Sequence, residues 1–376
     1  MTAIEVTQLA ALIIFATNTF LVAGLIALKT VNRTRRTRGK QRKTRYMELV
    51  SRHLAYENCT DPITPKMASD PVFIDALIDV RNALAGHEAE MLRGIVDRHG
   101  VTDRQVARLR SSFPLGRRLR AAVVLAELGD ESALDALLEH LGDREPEIRI
   151  QAARGLGRMR WTPAIDAVVA RFNIETPWVR SRFADTLISF GADATWPLLA
   201  YIRVNHPFET AGPVAAIRTL GSIGDDQAVQ PLIEVLHNAA DAEVKLAIIE
   251  TLGTMASPSA GPVLRTSAHS SDWRVRAKAM TALGEIGDPL SLDVLAGGLT
   301  DPEWWVRRNA AAALVRVRGG IDRLYDALAG DDRFAADASA EALADSGELS
   351  AARRRMTDGE ANEQDMALIG HMAGES

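Results

Sequence analysis

The chain has 376 residues, of which 47% are apolar and only 5% aromatic. That supplies an extended core of small side chains and favours packed helices over a β-rich fold. The single cysteine, Cys59, excludes an internal disulfide and a cysteine-based metal framework. The net charge is −5, yet residues 1–28 hold one ionised side chain, Glu5, and residues 29–45 hold nine basic and no acidic ones, which leaves −13 on residues 46–376. So acidic a body is a poor partner for nucleic acid, where phosphate neutralisation supplies much of the affinity.

In chain order, the first element is the uncharged stretch LAALIIFATNTFLVAGLIAL, Leu9 to Leu28. As a helix it reaches ~30 Å, about one hydrocarbon core. A cleavable signal peptide places positive charge before its apolar region; here the charge follows it. Residues 1–28 are therefore expected to form an uncleaved transmembrane anchor. Residues 29–45 form a basic juxtamembrane segment: Lys29, Arg33, Arg35, Arg36, Arg38, Lys40, Arg42, Lys43 and Arg45. Retention of such charge on the cytoplasmic side predicts a single-pass inner-membrane protein with its body in the cytoplasm. The block is either a membrane-surface contact to anionic headgroups or a topology signal and spacer. Thr19, Ala23 and Ala27 form a small-residue stripe that suits either packing against another membrane helix or a monomeric anchor.

Residues 46–112 read as a divergent helical region. Tyr46, Leu49, Val50 and Leu54 recur at helical spacing, and a stretch with three prolines, 57–71, ends that run. Further helices are predicted over 71–85 and 88–98, and Thr102 with Gln105 suggests a capping box for a fourth.

A repeat begins near residue 113. The leucine of segments of the type V-R-x-x-A-x-x-x-L-G-x-I-G-D falls at Leu125, Leu156, Leu187, Leu220, Leu252, Leu283, Leu314 and Leu343. Eight residues earlier stand Ile148, Val179, Val244, Val275 and Val306, beside a basic column of Arg118, Arg149, Arg180, Lys245, Arg276 and Arg307. Three residues later come Leu128, Met159, Phe190, Ile223, Met255, Ile286 and Val317, then Gly-Asp turns and a second apolar helix. These columns share one side of a helix, so each repeat is a hairpin that buries its face only by stacking on neighbours. The sequence thus predicts an all-α fold: one transmembrane helix, the divergent region, then an α-solenoid of about eight hairpins over 113–356. FAADASAEALADSGELSAARRRM is expected as the terminal cap, with a flexible tail over 357–376.

Blocks such as VRAKAMTALGEIGDPLSLDVLAGGLTD (275–301) and LRAAVVLAELGD around Leu125 resemble the short HEAT-like repeats first associated with phycobilisome lyases and found in many bacterial proteins. The resemblance covers about 115–356 and implies fold more than function. It also implies that the basic column pairs with acids at the hairpin turns, where Asp143, Asp241, Asp272 and Asp301 stand. The fourth repeat departs from the pattern, with Gly212 and Pro213 in place of Val and Arg.

Trp178, Trp273, Trp304 and Trp305 cluster at the starts of first helices, beside that column. Tryptophan and arginine are enriched at interface hot spots. The four tryptophans with Arg180, Arg276 and Arg307 are therefore the partner-binding candidates; covering the ends of the core is the rival role for the tryptophans, and a structural ladder for the arginines. The histidines show no H-E-x-x-H spacing, and there is no phosphate-binding loop, dinucleotide fingerprint or G-x-S-x-G elbow. Neither catalytic residues, nor a metal, cofactor or small-molecule ligand are expected. The function expected is a membrane-anchored, cytoplasmic protein-binding scaffold or regulator with a membrane-associated partner, such as an envelope, glycosyltransferase or secretion complex. The alternatives are a bilin lyase-like enzyme or chaperone, implied by the resemblance, and a sensor whose array changes curvature on binding a ligand.

Overall fold

The computed structural model describes residue 29 and residues 37–56, 62–205 and 210–374. The apolar segment 9–28, its small-residue stripe, Arg33, Arg35, Arg36 and Cys59 lie outside the described residues. The chain divides into two compact units, Met1–Gly155 and Leu156–Ser376.

The first unit opens with helix α1 over residues 37–55, followed by α2 (Pro65–Ala68), α3 (Pro71–Ala83), α4 (His87–Arg98) and α5 (Val101–Arg110). Asp70 caps α3 by accepting from the Val72 amide at 3.0 Å, and Pro71 supplies a first-turn residue that needs no amide partner. Val50, Phe73, Leu77, Leu92, Val96 and Val101 form the core here. Tyr46 packs edge-on to Phe73, 5.3 Å between ring centroids, and its hydroxyl donates to Asp70 at 3.0 Å.

Three expectations for this unit need correction. The localisation in the inner membrane is not upheld: among the described residues no helix is long and apolar enough to cross a membrane. The longest, α1, carries Arg38, Lys40, Arg42, Lys43, Arg45, Glu48 and Arg52. Nor is the end of the basic segment a bare spacer, because Arg42 pairs with Asp70 at 3.4 Å and Lys43 pairs with Asp79. Finally, Thr102 and Gln105 make no capping box. Helix α5 starts at Val101 behind a left-handed Gly100, which puts both side chains inside the helix and buries them; Thr102 donates instead to Asp130 at 3.5 Å.

The repeats appear as helix pairs: α6 (Leu115–Leu128) with α7 (Leu134–His140), and α8 (Pro146–Arg158) with α9 (Ile165–Val169). The next pairs are α10 (Pro177–Phe190) with α11 (Thr195–Asn205), α12 (Ala211–Ile223) with α13 (Val229–Asn238), and α14 (Ala242–Met255) with α15 (Gly261–Ser267). The last are α16 (Trp273–Ile286) with α17 (Leu292–Gly298), α18 (Trp304–Leu314) with α19 (Gly320–Leu328), and α20 (Arg333–Asp345) with α21 (Glu348–Asp358). All eight leucines of the repeat are buried, as are Ile148, Val179, Val244, Val275 and Val306. The third column is mixed: Leu128, Phe190 and Val317 are buried, whereas Met159, Ile223, Met255 and Ile286 are half-buried at the helix ends.

The Gly-Asp turn has a clear cause. Gly224 and Gly287 end α12 and α16 with φ near +71°, a left-handed conformation that strains other residues, and their amides bond to Leu220 and Leu283. The next residue, Asp225 or Asp288, turns the chain by accepting from the Gln227 or Leu290 amide at 3.1 and 3.0 Å.

The glycine one residue after the repeat leucine has a different task. A Cβ at Gly253 would stand 2.8 Å from Cα of Ala282, and one at Gly284 would stand 2.7 Å from Cα of Ala313. Both contacts join this position to the residue just before the next repeat's leucine. Successive first helices therefore approach backbone to backbone, which explains the surplus of alanine and glycine.

The departure at the fourth repeat is local packing. A side chain at Gly212 would collide with Asn173 and Tyr201. Those residues form a polar cluster in which Tyr201 donates to Asn173, Asn173 to Asn205 at 3.0 Å, and Asn205 to the Tyr201 carbonyl at 2.8 Å.

Residues 357–376, expected as a flexible tail, instead carry helix α22 (Glu363–Gly374) with Leu368 fully buried. Asn362 and Asp365 cap it reciprocally: the Asp365 amide donates to Asn362 at 2.9 Å, and the Asn362 amide donates to Asp365 at 3.1 Å. Arg355 of α21 donates from Nε to the buried Asp365 carboxylate at 2.9 Å.

Candidate partner-binding edge

Helices α8, α10, α14, α16 and α18 begin two residues before the buried Ile148, Val179, Val244, Val275 and Val306. Side chains there point away from the core, and polar residues are the default. In the second unit this edge carries aromatics instead. Trp178 lies in the first turn of α10, Trp273 opens α16, Trp304 and Trp305 open α18, and Phe334 lies in the first turn of α20. Their exposure runs from 38% for Trp273 to 65% for Phe334, so none serves as a core residue. Trp304 and Trp305 meet edge to face with centroids 4.6 Å apart. Arg308 lies over Trp304 at 5.5 Å and Arg307 over Phe334 at 5.0 Å. These contacts hold the rings in place without covering them.

Phe334 extends the tryptophan set that the sequence singles out. Its register was available: it stands nine residues before Leu343, as Trp305 does before Leu314. Trp178 is set apart, since the same column holds Ala211 and Glu243 in the two hairpins between.

The basic column faces inward. Arg118 donates to the Leu109 carbonyl at 3.2 Å and pairs with Asp143. Arg149 donates to the Asp143 carbonyl at 2.9 Å, and Arg180 to the Glu175 carbonyl at 2.8 Å. Arg276 grips Asp301 through Nε and Nη2 at 2.7 and 2.9 Å and also bonds to the Ser270 carbonyl. Arg307 bonds to the Asp301 and Pro302 carbonyls at 2.8 and 3.0 Å. Guanidinium groups thus satisfy carbonyls in the turns that lead into α8, α10, α16 and α18. Burial pushes Asp301 up, but the hydrogen bonds from Arg276 and the Glu303 amide, with the Arg276 and Arg307 charges, together hold it below the usual carboxylate range. Asp143 and Asp301 are partners of the column. Asp241 and Asp272 are not: they cap α14 and α16, and they accept from Thr210 and Arg274.

Beside Trp304 and Phe334 opens a cleft of about 330 Å³, floored by Arg307, Asp337, Glu341 and Asp345 and closed by Met372 of α22. Asp337 is bonded to His371 at 2.9 Å, and Glu341 faces Arg308 at 3.6 Å. Asp345 has no ion-pair partner among the described residues, nor do the exposed Glu303 and Asp331 at the mouths of α18 and α20. Among the described residues no cluster of histidine, cysteine or carboxylate could hold a metal ion. Of the basic residues between 29 and 45, Lys29, Arg38, Lys40 and Arg45 are exposed, while Arg42 and Lys43 belong to the ion pairs with α3.

A family model described as HEAT repeats matches residues 103–188, 196–276, 229–316 and 267–344. No curated protein matches the sequence. Among solved structures, the karyopherin Kap121p bound to the SUMO protease Ulp1p superposes with a TM-score of 0.51 at 13% identity, covering 80% of this chain and 41% of the karyopherin. The complex of CpcE and CpcF of phycocyanin lyase from Nostoc sp. PCC7120 is 22% identical over 59% of this chain and 92% of that one, with a TM-score of 0.30. An engineered protein is 19% identical over 87% of this chain and 98% of its own length, with a TM-score of 0.37. The chain spans less than half of the karyopherin, and at these identities the likeness concerns fold alone. With a family match over more than half of its length and the stacked helix pairs that the match requires, the chain belongs to the HEAT-repeat proteins.

Proposed function

We propose that this protein is a protein-binding scaffold that engages its partner through the aromatic edge of α16, α18 and α20. One observation carries the reading: Trp273, Trp304, Trp305 and Phe334 stand exposed in the first turns of the first helices of three consecutive hairpins. Aromatics this exposed are not core residues, and tryptophan is enriched at interface hot spots. The karyopherin with the same fold binds protein partners, which is in keeping with the proposal.

The test is photo-crosslinking from position 334 in the native host, identification of the crosslinked protein, and recapture of that protein from purified components. Joint replacement of Trp304 and Trp305 by alanine is expected to weaken recapture by at least about tenfold, since a hot-spot residue contributes about 2 kcal/mol. Helical content and unfolding temperature should stay unchanged. Undiminished recapture by the double variant would remove the edge from the binding surface.

A further inference from the structure

The edge combines two chemistries. The four turns that enter α14, α16, α18 and α20 hold Asp241, Glu243, Asp272, Asp301, Glu303, Asp331 and Asp332 against two cations, Arg274 and Arg333. Some of these acids are occupied. Asp241, Asp272 and Asp332 cap their helices, Asp301 holds Arg276, and Glu243 pairs with Arg274 at 3.0 Å. Glu303 and Asp331 are left with no ion-pair partner among the described residues, as is Asp345 in the cleft behind Trp304 and Phe334. Glu303 and Asp331 are thus exposed carboxylates without an ion-pair partner among the described residues, the first next in sequence to Trp304 and the second three residues before Phe334, on an edge where Arg308 and Arg307 already lie over the rings of Trp304 and Phe334.

We infer that the segment bound on this edge is extended and cationic, with a lysine or arginine recurring at about every third residue. This rests on the proposal that the edge binds a protein. The charge argument is complementarity: a basic side chain lays its methylenes or guanidinium on a tryptophan face and brings its charge to a free carboxylate. The period follows from geometry. The first helices α16, α18 and α20 pack in succession, and packed helix axes lie about 8–10 Å apart. An extended segment of polyproline II form advances about 3.1 Å per residue with three residues per turn, so every third side chain returns to the same face about 9 Å further on, in step with neighbouring hairpins. An acidic segment would meet uncompensated repulsion from Glu303, Asp331 and Asp345, and a neutral one would leave their charge unused.

The experiment uses the full chain and synthetic peptides of about twelve residues, the length that spans three to four hairpins. One peptide places lysine at every third position among serines. A second gathers the same lysines in one block, and a third replaces lysine by glutamate. Binding is read by tryptophan fluorescence and calorimetry. The spaced lysine peptide is expected to bind at least about tenfold more tightly than either control and to weaken with added salt. The triple variant E303Q/D331N/D345N should lose about tenfold or more for that peptide at an unchanged unfolding temperature, and W304A/W305A should lose it as well. If the glutamate peptide binds as well as the spaced lysine peptide, if none of the three binds, or if the triple variant binds unchanged, the cationic inference is wrong. Equal binding by the blocked lysine peptide overturns the spacing. Recapture of the crosslinked partner and its sensitivity to W304A/W305A decide the protein-binding reading separately, since that partner is tested whatever its charge.

Discussion

At the scale of single residues, the most sensitive contact is between two acids. Asp97 at the end of α4 and Asp130 at the turn into α7 share a proton. The hydrogen bond with Asp130 is the main cause, followed by burial and the Asp130 charge, and together they raise Asp97 from 3.8 to about 6. Burial pushes Asp130 up, but the hydrogen bonds from Asp97 and Ser132 outweigh it and leave Asp130 low. Asp97 therefore holds its proton more tightly in the fold than in the unfolded chain. Its stabilising contribution is complete below 3.8 and disappears as the pH rises through about 6, where both carboxylates become charged. Asp130 contributes in the opposite sense, and its share is lost only under more acid conditions. Hydrogen-exchange protection of α4 and α5, corrected for intrinsic rates, should fall between about pH 5 and about pH 7.5. Asp97→Asn keeps a donor to Asp130 without the second charge and should flatten that dependence. A wild-type profile already flat across this window would contradict the shared proton.

At the scale of elements, stability depends on how closely consecutive first helices can approach. Gly284→Leu inserts a side chain where Ala313 Cα stands 2.7 Å from the place of a Cβ, with only backbone and alanine to give way. Overpacking of this kind costs about 1–3 kcal/mol or more. Protection should drop in α16 and α18, while α10 and α11 keep theirs because repeats couple mainly to their neighbours. Loss spread evenly over these hairpins would argue against so local a contact. Helix α22 offers a second test. Asp365→Asn removes the charge that Arg355 holds and weakens the reciprocal cap, a loss of about 1.5–3 kcal/mol for bonds to a charged group. Limited proteolysis should then cut between Asp358 and Glu363 at a rate the parent chain does not show. These elements also mark what could be read beforehand. The hairpin period, the buried leucine column and the Gly-Asp turns follow from local spacing and were legible. The glycine that follows four of the eight leucines was visible, but its contact lies on the next repeat, about 30 residues away, and no local pattern declares it. Helix α22 escaped because its stability comes from Arg355 and the pocket for Leu368, not from its own short apolar run. Gly212 looked like a defect until Asn173 and Tyr201 were seen to occupy the space of its side chain.

At the scale of the whole molecule, the repeat sets an alternation between sides that are used up by stacking and one edge that is not. The arginines of the basic column, three of them partner-binding candidates in the sequence, donate to carbonyls and to Asp143 and Asp301. That leaves the aromatic edge as the contact surface proposed for a partner. The aromatics are unevenly distributed along the array: four of the five first-turn rings lie on α16, α18 and α20, and Trp178 stands alone on α10. If the edge works as a continuous docking track, binding should follow this density. Trp178→Ala is expected to change affinity for the crosslinked partner by less than about twofold, within the range of peripheral contacts. Trp273→Ala, Trp304→Ala and Phe334→Ala should each weaken it by about fivefold or more. Each replacement removes an exposed ring, so all four variants should unfold at the parent temperature. Calorimetric titration of the purified variants with the same partner gives the comparison directly. A loss at Trp178 equal to that at Trp304 would extend the interface back to α10 and oblige the bound segment to cross Ala211 and Glu243. There it would find no ring to rest on, and its affinity would have to come from groups other than the aromatics.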